Sequence, residues 1–325
     1  MNLLKSTKSL SVVATAIATR KANSSKSLKT VGLAVVQRGL KEIPRVRSLT
    51  QLNCLKWEAE FSFISYGVRI GIRVNEARVL ERLPDYLPPG WEHSASPDVD
   101  QLYSLIGDES NYQLWRDREI LAEASLLETI LHTLDTDLRL QIGMLVQDRL
   151  FVHAGVVGWR GRAIVIPGRS FSGKTTLTAA LVQAGATYYS DEYAVFDWQG
   201  GVYPYPRRLA IREWEGEKEV KRQCTAEELG GTVGTEPLPV GLVVHVQYEL
   251  NQVWCPQEIS AGEAVLALLD NTIVARTRPE FALSILPGVV SHALRIAGKR
   301  GEAAAVAVAL LRQLDDWIEC SKVCK

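Results

Sequence analysis

One stretch near the middle of the sequence has the residue types and the spacing of a phosphate-binding loop. Gly168 to Thr175 reads Gly-Arg-Ser-Phe-Ser-Gly-Lys-Thr and fits the pattern G-x-x-x-x-G-K-[ST]. Its glycines let the backbone curl so that N–H groups point at phosphate oxygens, and a following helix adds its positive N-terminal end. In such loops the lysine, here Lys174, reaches the β- and γ-phosphates, and the Thr175 hydroxyl helps to bind Mg²⁺. The stretch therefore predicts binding of ATP or GTP together with Mg²⁺.

The residues predicted to contact the nucleotide belong to the loop and to the first turn of the helix after it. They are Gly168, Ser170, Ser172, Gly173, Lys174, Thr175 and Thr176.

Two adjacent acidic residues follow the loop. Asp191 lies where the helix after the loop has ended and the next strand begins, and a carboxylate at that place can face the Mg²⁺ held by the loop. Thr175 and Asp191 are therefore the predicted metal ligands. Neighbouring side chains of an extended segment point to opposite faces, so Glu192 reaches the same site only if the backbone turns there. An ordinary acidic turn is the alternative for both residues.

One histidine and several arginines are further candidates. His153 lies in the strand before the loop strand, where a packed core histidine is the alternative interpretation. Arg207 and Arg212 follow the acidic strand and could supply the positive charge that a transferred phosphoryl group needs. Arg276 and Arg278 are weaker candidates of the same kind. Solvated arginines on a loop are the alternative for all four.

The elements around these residues follow an α/β order. Strands are predicted for the apolar runs at 150–157, 163–167, 188–197 and 238–250. Helices are predicted at 119–147 (as two helices broken near Asp135), 175–185, 261–269 and 288–318. The loop thus lies between a strand and a helix, and strands alternating with helices indicate an α/β domain.

Ahead of this domain, Glu58–Val74 alternates apolar and polar residues and predicts two short strands with a turn near Tyr66 and Gly67. A proline-rich connector follows at Leu83–Trp91. The predicted organisation is a basic tail at 1–50, a small N-terminal α/β module at 51–115 and a nucleotide-binding domain at 116–325.

The tail contains ten Lys or Arg residues against one acid. A solvated, mobile tail, a targeting segment of the transit-peptide kind and a docking arm for an acidic partner are all compatible with that composition. The whole chain has no net charge, so no nucleic-acid partner is predicted. The longest apolar run, Ala303–Leu311, is too short for a membrane span, and five cysteines without a CxxC pair favour the reducing cytoplasm.

The order of these pieces resembles the catalytic domain of the HPr kinase/phosphorylase family. That family has a Val-His-Gly-type strand, an apolar strand, the phosphate loop, a helix ending in a basic-Gly pair, and a strand ending in two acids. The matching segments here are Val152–Gly155, Gly168–Thr175, Gln183–Gly185 and Ser190–Glu192. The resemblance covers about 140–215 and is closest to the branch reading GRSxSGKTTL and YYSDEYA, whose substrates differ from HPr.

The resemblance implies an α/β fold, a P-loop kinase domain of the HPr kinase/PEP carboxykinase type with a smaller N-terminal α/β module. It also implies that Lys174 and Thr175 are the loop residues and that Asp191 is the acid on the metal side. Glu192 stands where the family has Asp and would take the proton from the attacking hydroxyl. His153 would be the histidine close to the phosphate.

Arg212 lies near the place of an arginine in the family's Glu-Ile-Arg-Gly signature, where this chain reads Ala-Ile-Arg-Glu. The leading hypothesis is a kinase that moves the γ-phosphoryl group of ATP to a serine-type hydroxyl of a protein, a peptide or a small molecule. A regulatory nucleotide-binding module with weak or no kinase activity is the first alternative, and a carboxykinase-like enzyme is the second. Because relatives in the family are often oligomers, a homo-oligomer is one arrangement that the resemblance allows.

Overall fold

The computed structural model describes residues 49–107, 110–168, 172–215 and 218–323. The fold is mixed α/β with several sheets, and the chain divides into two compact units, one ending at Leu145 and the other beginning at Val146. The predicted basic tail lies almost entirely outside the described residues. No helix in the described part of the chain is long and apolar enough to cross a membrane.

The first unit is built on a six-stranded sheet with strand order β3-β1-β2-β4-β5-β6. Its described elements are α1 (Leu49–Asn53), β1 (Ala59–Ser65), β2 (Val68–Val74), a 3₁₀ helix (Ala77–Asp85), β3 (Glu92–His93), β4 (Gln101–Gly107), β5 (Tyr112–Arg116), β6 (Glu119–Ala124) and α2 (Leu127–Leu145). The predicted hairpin at 58–74 is confirmed by β1 and β2. Tyr66 and Gly67 both have positive φ angles, 51° and 79°, as a tight two-residue hairpin turn requires.

The two helices predicted at 119–147 are wrong in two respects. Glu119–Ala124 is not helical but pairs with β5 as the edge strand of the sheet. The helix that follows is unbroken through Asp135, because this buried aspartate pairs with Arg139 one turn later, at 3.3 Å. Since α2 packs on β5 and β6, the first unit extends to Leu145, beyond the boundary at 115 that the sequence suggests.

The second unit is built on an eight-stranded sheet and a separate hairpin. Its described elements are β7 (Leu150–Trp159), β8 (Arg162–Pro167), α3 (Lys174–Gln183), β9 (Thr187–Ser190), β10 (Tyr193–Phe196), β11 (Gly201–Tyr203), β12 (Leu209–Glu215), β13 (Lys218–Cys224), β14 (Leu238–Tyr248), β15 (Gln257–Glu258), α4 (Ala261–Leu269), α5 (Pro279–Ser291), β16 (Leu294–Arg300) and α6 (Ala303–Val323). The sheet order is β11-β10-β7-β8-β14-β16-β15, with β9 paired to β7 and β11 also paired to β14. β12 and β13 form the separate hairpin.

Helices cover both faces of this sheet. Leu177 of α3 and Leu310 of α6 lie in the core on one face, whereas Leu268 of α4 and Leu286 of α5 lie in the core on the other. The three central strands β8, β14 and β16 are parallel. Their carboxyl ends therefore meet at one edge, which is where open α/β sheets bind their ligands.

The structure confirms most of the remaining predictions for the second unit and contradicts the others. The strands at 150–157, 163–167 and 238–250 and the helices at 175–185 and 261–269 are confirmed by β7, β8, β14, α3 and α4. The single helix at 288–318 is wrong, because Leu294–Arg300 forms β16 and pairs in parallel with β14. That tertiary pairing overrides the local helical spacing. The strand at 188–197 is interrupted at Asp191 and Glu192.

Candidate functional site

The glycine-rich loop lies at the carboxyl end of β8 and leads into α3. Gly173 is the residue before the helix and has φ 82°, a left-handed conformation that glycine adopts without strain. At the other end of the loop, a Cβ on Gly168 would lie only 2.7 Å from Ser172 Oγ. Ser172 Oγ is itself buried and has no hydrogen-bond partner in the described part of the protein. The backbone conformation thus favours glycine at 173, and the buried Ser172 hydroxyl is a group that a ligand can engage.

Lys174 is the first residue of α3 and is buried, with 5% of its surface exposed. Burial lowers the pKa of its ammonium group, while Glu192 and Asp191 oppose that shift through their charges. The lysine therefore lies within electrostatic reach of both acids. A cation in this position is placed to neutralise additional negative charge brought by a phosphate.

Asp191 is the acid that contacts Thr175, in the first turn of α3. Its carboxylate accepts hydrogen bonds from the Thr175 hydroxyl and from the Tyr188 phenol, the latter at 3.2 Å. Burial, followed by the charge of Glu192, raises the pKa of Asp191 to about 6 in spite of these hydrogen bonds and of Arg207. The two predicted metal ligands, Thr175 and Asp191, are thus in direct contact.

The backbone turns between the two acids, which is the condition for both to reach one site. Ser190 makes this turn: its buried Oγ accepts hydrogen bonds from the backbone N–H groups of Glu192, at 3.1 Å, and Tyr193, at 2.9 Å. Serine side chains make turns of this kind, so Ser190 is compatible with a turn at this place in the sequence. The turn places Asp191 at Thr175 and Glu192 at the neighbouring strand β7.

Glu192 contacts His153 of β7. The distance from His153 Nε2 to Glu192 Oε1 is 3.2 Å, and both side chains are about three-quarters buried. His153 Nδ1 is buried and has no hydrogen-bond partner among the described residues. The backbone of His153 is also held near the loop, since its carbonyl accepts a hydrogen bond from the N–H of Gly168. His153, the loop and the acidic turn therefore form one cluster.

The candidate arginines lie in different places in the structure. Arg207 acts electrostatically on Asp191, and its carbonyl accepts a hydrogen bond from the Tyr188 phenol at 2.9 Å. Arg212 lies on β12 and lines a cavity that also contains Thr176. Arg278 donates to the Val146 carbonyl at 2.9 Å, a structural contact.

Three other predicted residues take the following places. Arg276 is exposed just before α5, and Thr176 is exposed in the first turn of α3. Ser170 lies outside the described residues.

Sequence reasoning missed two residues near the loop. Tyr188 precedes the acidic pair and donates to Asp191, and burial raises its pKa well above the usual range. Arg300, at the carboxyl end of β16, is 2% exposed and donates from Nη2 to the Gly173 carbonyl at 2.8 Å. No local signal marks Arg300, because it is far from the loop in the sequence and approaches it only through the pairing of β16 with β14.

Among the described residues, no group of three or more His, Cys, Asp or Glu side chains is placed to hold a metal ion. Mg²⁺ sites at nucleotides use one or two protein ligands and complete their coordination with phosphate oxygens and water. The Thr175 hydroxyl beside the buried Asp191 carboxylate fits that kind of site.

No family model matches the sequence, and no curated protein matches it. Among solved structures, the chain is similar to the HPr(Ser) kinase/phosphatase from Coxiella burnetii, with 14% identity and a TM-score of 0.29. That match covers 52% of this chain and 98% of the other chain. It is a weak fold relationship to a kinase/phosphatase, and it leaves the function to be argued from the geometry of the site.

Proposed function

We propose that this protein is a phosphotransferase that uses ATP or GTP with Mg²⁺ and transfers the γ-phosphoryl group to a serine-type hydroxyl. One observation carries the proposal: the Thr175 hydroxyl, at the start of α3, is hydrogen-bonded to the buried carboxylate of Asp191, and Glu192 lies beside them. This arrangement joins a phosphate-binding loop to two acids, one for a metal and one for a proton. A cytoplasmic location, where ATP is available, goes with this proposal.

The described residues at the loop have the properties that binding of a nucleoside triphosphate requires. The start of α3 offers backbone N–H groups and a buried lysine, and the buried Ser172 hydroxyl has no partner in the described part of the chain. Lys174 would contact the phosphates, and Thr175 and Asp191 would hold Mg²⁺. When bound, Mg²⁺ supplies a Lewis acid that withdraws charge from phosphate oxygens. The raised pKa of Asp191 supports this assignment, because a cation at its carboxylate would relieve the cost of its burial.

Glu192 is the proposed general base. The hydroxyl oxygen of the acceptor forms a bond to the γ-phosphorus, and the bond from that phosphorus to the bridging oxygen breaks. The electron pair of the broken bond stays on the β-phosphate, and the hydroxyl proton passes to the Glu192 carboxylate. His153 fixes the orientation of Glu192 through its Nε2 contact and is therefore a positioning residue. Lys174 neutralises charge on the phosphates, and Arg207 adds positive charge near Asp191.

The test compares two variants in binding and in turnover. Glu192→Gln keeps the size of the side chain but removes the base, whereas Lys174→Ala removes the phosphate contact. Binding of Mg²⁺·ADP is measured by calorimetry. Transfer of label from γ-labelled ATP is measured to water and to a panel of serine-containing peptides, seryl proteins and free hydroxyl compounds.

We expect Glu192→Gln to bind Mg²⁺·ADP like the parent, while its rate of phosphoryl transfer falls by about 10² to 10⁴-fold. Lys174→Ala is expected to lose both binding and transfer. If Glu192→Gln transfers label as fast as the parent, the assignment of the base is wrong. If the parent binds nucleotide but transfers none to any acceptor, the protein is a nucleotide-responsive regulatory module instead of a kinase.

A further inference from the structure

A cavity of about 760 Å³ lies on the Thr176 side of α3. This volume is within the range of about 300 to 1,000 Å³ for small-molecule sites. Gly173 and Thr176 line it at the start of α3, and Glu302 and Ala303 line it at the start of α6. The first residues of two helices therefore border the same space, which extends along the side of α3 to Gln183.

A buried cation forms part of the cavity wall. Arg300 donates from Nη2 to the Gly173 carbonyl and from Nη1 to the Gly301 carbonyl, each at 2.8 Å. Its Nε is buried and has no hydrogen-bond partner among the residues described. The guanidinium carbon lies 5.3 Å from the centre of the Tyr248 ring, which is 47% exposed. The wall thus combines a partly unsatisfied buried cation with an accessible aromatic ring.

The β12–β13 hairpin also lines the cavity, with Ile211, Arg212 and Arg222. Two acids, Glu228 and Glu302, belong to the same lining. The Glu228 carboxylate accepts a hydrogen bond from the backbone N–H of Thr225 at 2.9 Å, so it has a structural role. An apolar residue between two arginines is suited to a ligand that has both a flat apolar part and anionic oxygens.

In the first turn of α3, one residue interacts with the two acids and another lines the cavity. Lys174 is buried and interacts with Asp191 and Glu192, whereas Thr176 is exposed and lines the cavity. Successive residues of an α-helix are rotated by about 100°, so positions two apart face nearly opposite sides. A phosphate chain that lies over the N-terminal end of α3, with its reacting end at the acids, would have its other end at Thr176.

We propose that this cavity binds the nucleoside of the nucleotide, with the base stacked on the exposed ring of Tyr248. Arg212 and Arg222 contact the ribose and the α-phosphate, so that Arg212 serves binding and not transfer. This inference rests on the proposed function, because the loop must hold the phosphates for the nucleoside to reach the cavity.

The experiment compares two ligands that share phosphates but differ in the nucleoside. The affinities of ADP and of inorganic tripolyphosphate are measured by calorimetry for the parent, Tyr248→Ala and Tyr248→Phe. Tyr203→Ala is the matched control, since Tyr203 also lies under an arginine, Arg149, at 4.6 Å, but does not line the cavity.

Tyr248→Ala is expected to weaken ADP about tenfold or more, because loss of an aromatic platform costs that much per stacked base. It should leave tripolyphosphate unchanged, and Tyr248→Phe and Tyr203→Ala should bind both ligands like the parent. Unchanged ADP affinity in Tyr248→Ala would overturn the nucleoside site while leaving the proposed function standing. A parent protein that binds tripolyphosphate and ADP equally also overturns it. A parent that binds neither ligand contradicts the proposed function as well.

Discussion

Two buried charge clusters in this chain, one in each compact unit, differ in how completely they are satisfied. In the first unit, the fully buried Tyr103 donates its phenol proton to Asp137 Oδ2 at 2.6 Å. Arg116 donates to the other oxygen of Asp137 at 2.9 Å and to Glu119 at 2.7 Å. Both carboxylate oxygens have partners within the unit. A cluster of this kind stabilises the fold and leaves no atom waiting for a ligand.

The cluster at the loop in the second unit is not satisfied in the same way. The pKa of Asp191 is raised to about 6 by burial and by Glu192, so its negative charge is only partly compensated. In the part of the chain that the structure describes, Ser172 Oγ, His153 Nδ1 and Arg300 Nε are buried without hydrogen-bond partners. These three are among the seven such side-chain atoms of the described residues, and a ligand bound at the loop could supply their missing partners.

Breaking the satisfied cluster should have the largest effect on stability. Asp137→Ala leaves the Tyr103 phenol without its acceptor and removes one of the two acidic partners of Arg116, and it should cost about 2 to 3 kcal/mol. Hydrogen exchange of peptides from 101–107 and 112–116 is the suitable measurement, because it reports on the stability of the strands that carry these residues.

The matched control is Arg82→Ala, which removes an exposed pair with Glu128 and should cost less than about 1 kcal/mol. Equal effects of the two variants would show that the buried network does not stabilise this unit. Binding of tripolyphosphate should be the same in both.

Removing a charge from the unsatisfied cluster should have the opposite sign. Asp191→Asn is expected to stabilise the nucleotide-free protein by about 2 kcal/mol at pH 7, because the neutral amide avoids the cost of burial and the repulsion from Glu192. Asp197→Asn is the control. Asp197 is equally buried, but it accepts hydrogen bonds from the N–H groups of Gln199 and Gly201, both at 2.9 Å, and no gain is expected. Thermal unfolding scans of the parent and both variants measure the change in stability. A loss of stability in Asp191→Asn would contradict the view that the charge of Asp191 is poorly compensated.

The same aspartate predicts a pH dependence. Its pKa rises from 3.8 to about 6 on folding, so between these values the folded protein binds more protons than the unfolded chain. The contribution of Asp191 to stability is therefore greatest below about pH 4 and is lost as the pH rises through 6. The advantage of Asp191→Asn over the parent should fall to roughly 1 kcal/mol at pH 5 and vanish below about pH 4. Urea unfolding at several pH values measures this difference, and an advantage that does not change with pH would be evidence against it.

The smallest effect is expected at a single hydroxyl. Ser172→Ala removes a buried, unpartnered Oγ and should stabilise the nucleotide-free protein by up to about 1 kcal/mol. It should also weaken tripolyphosphate a few-fold. Ser65→Ala is the control in the first unit, since Ser65 Oγ is likewise buried without a partner among the described residues. A similar gain without any change in tripolyphosphate affinity is expected there, and equal ligand affinity in both variants would remove Ser172 from the site.

Which residues meet at the loop could be predicted from the sequence further than the geometry that brings them together. Gly173, Lys174 and Thr175 are adjacent in the chain, and the apolar strand before them and the helix after them gave a reliable local context. The approach of Asp191 to Thr175 depends on a turn that Ser190 makes with two backbone hydrogen bonds. The prediction of one continuous strand at 188–197 does not include this turn.

Other features could not be found by reading along the chain. The segment 294–300 has helical spacing like its neighbours, and only its pairing with β14 makes it a strand. Arg300 reaches the loop through that pairing, as Glu119–Ala124 reaches the first sheet through β5. In each case a partner distant in sequence decides the conformation, which local patterns do not contain.

The contact between Gly173 and Arg300 has a consequence for anyone who redesigns this loop. The Gly173 carbonyl accepts hydrogen bonds from both Arg300 Nη2 and the Leu177 N–H, and a Cβ at position 173 would lie 2.3 Å from that guanidinium. A lysine at 300 could not span the carbonyls of Gly173 and Gly301 as the planar fork does. The two positions, 127 residues apart in the chain, therefore have to be chosen together in any engineered variant.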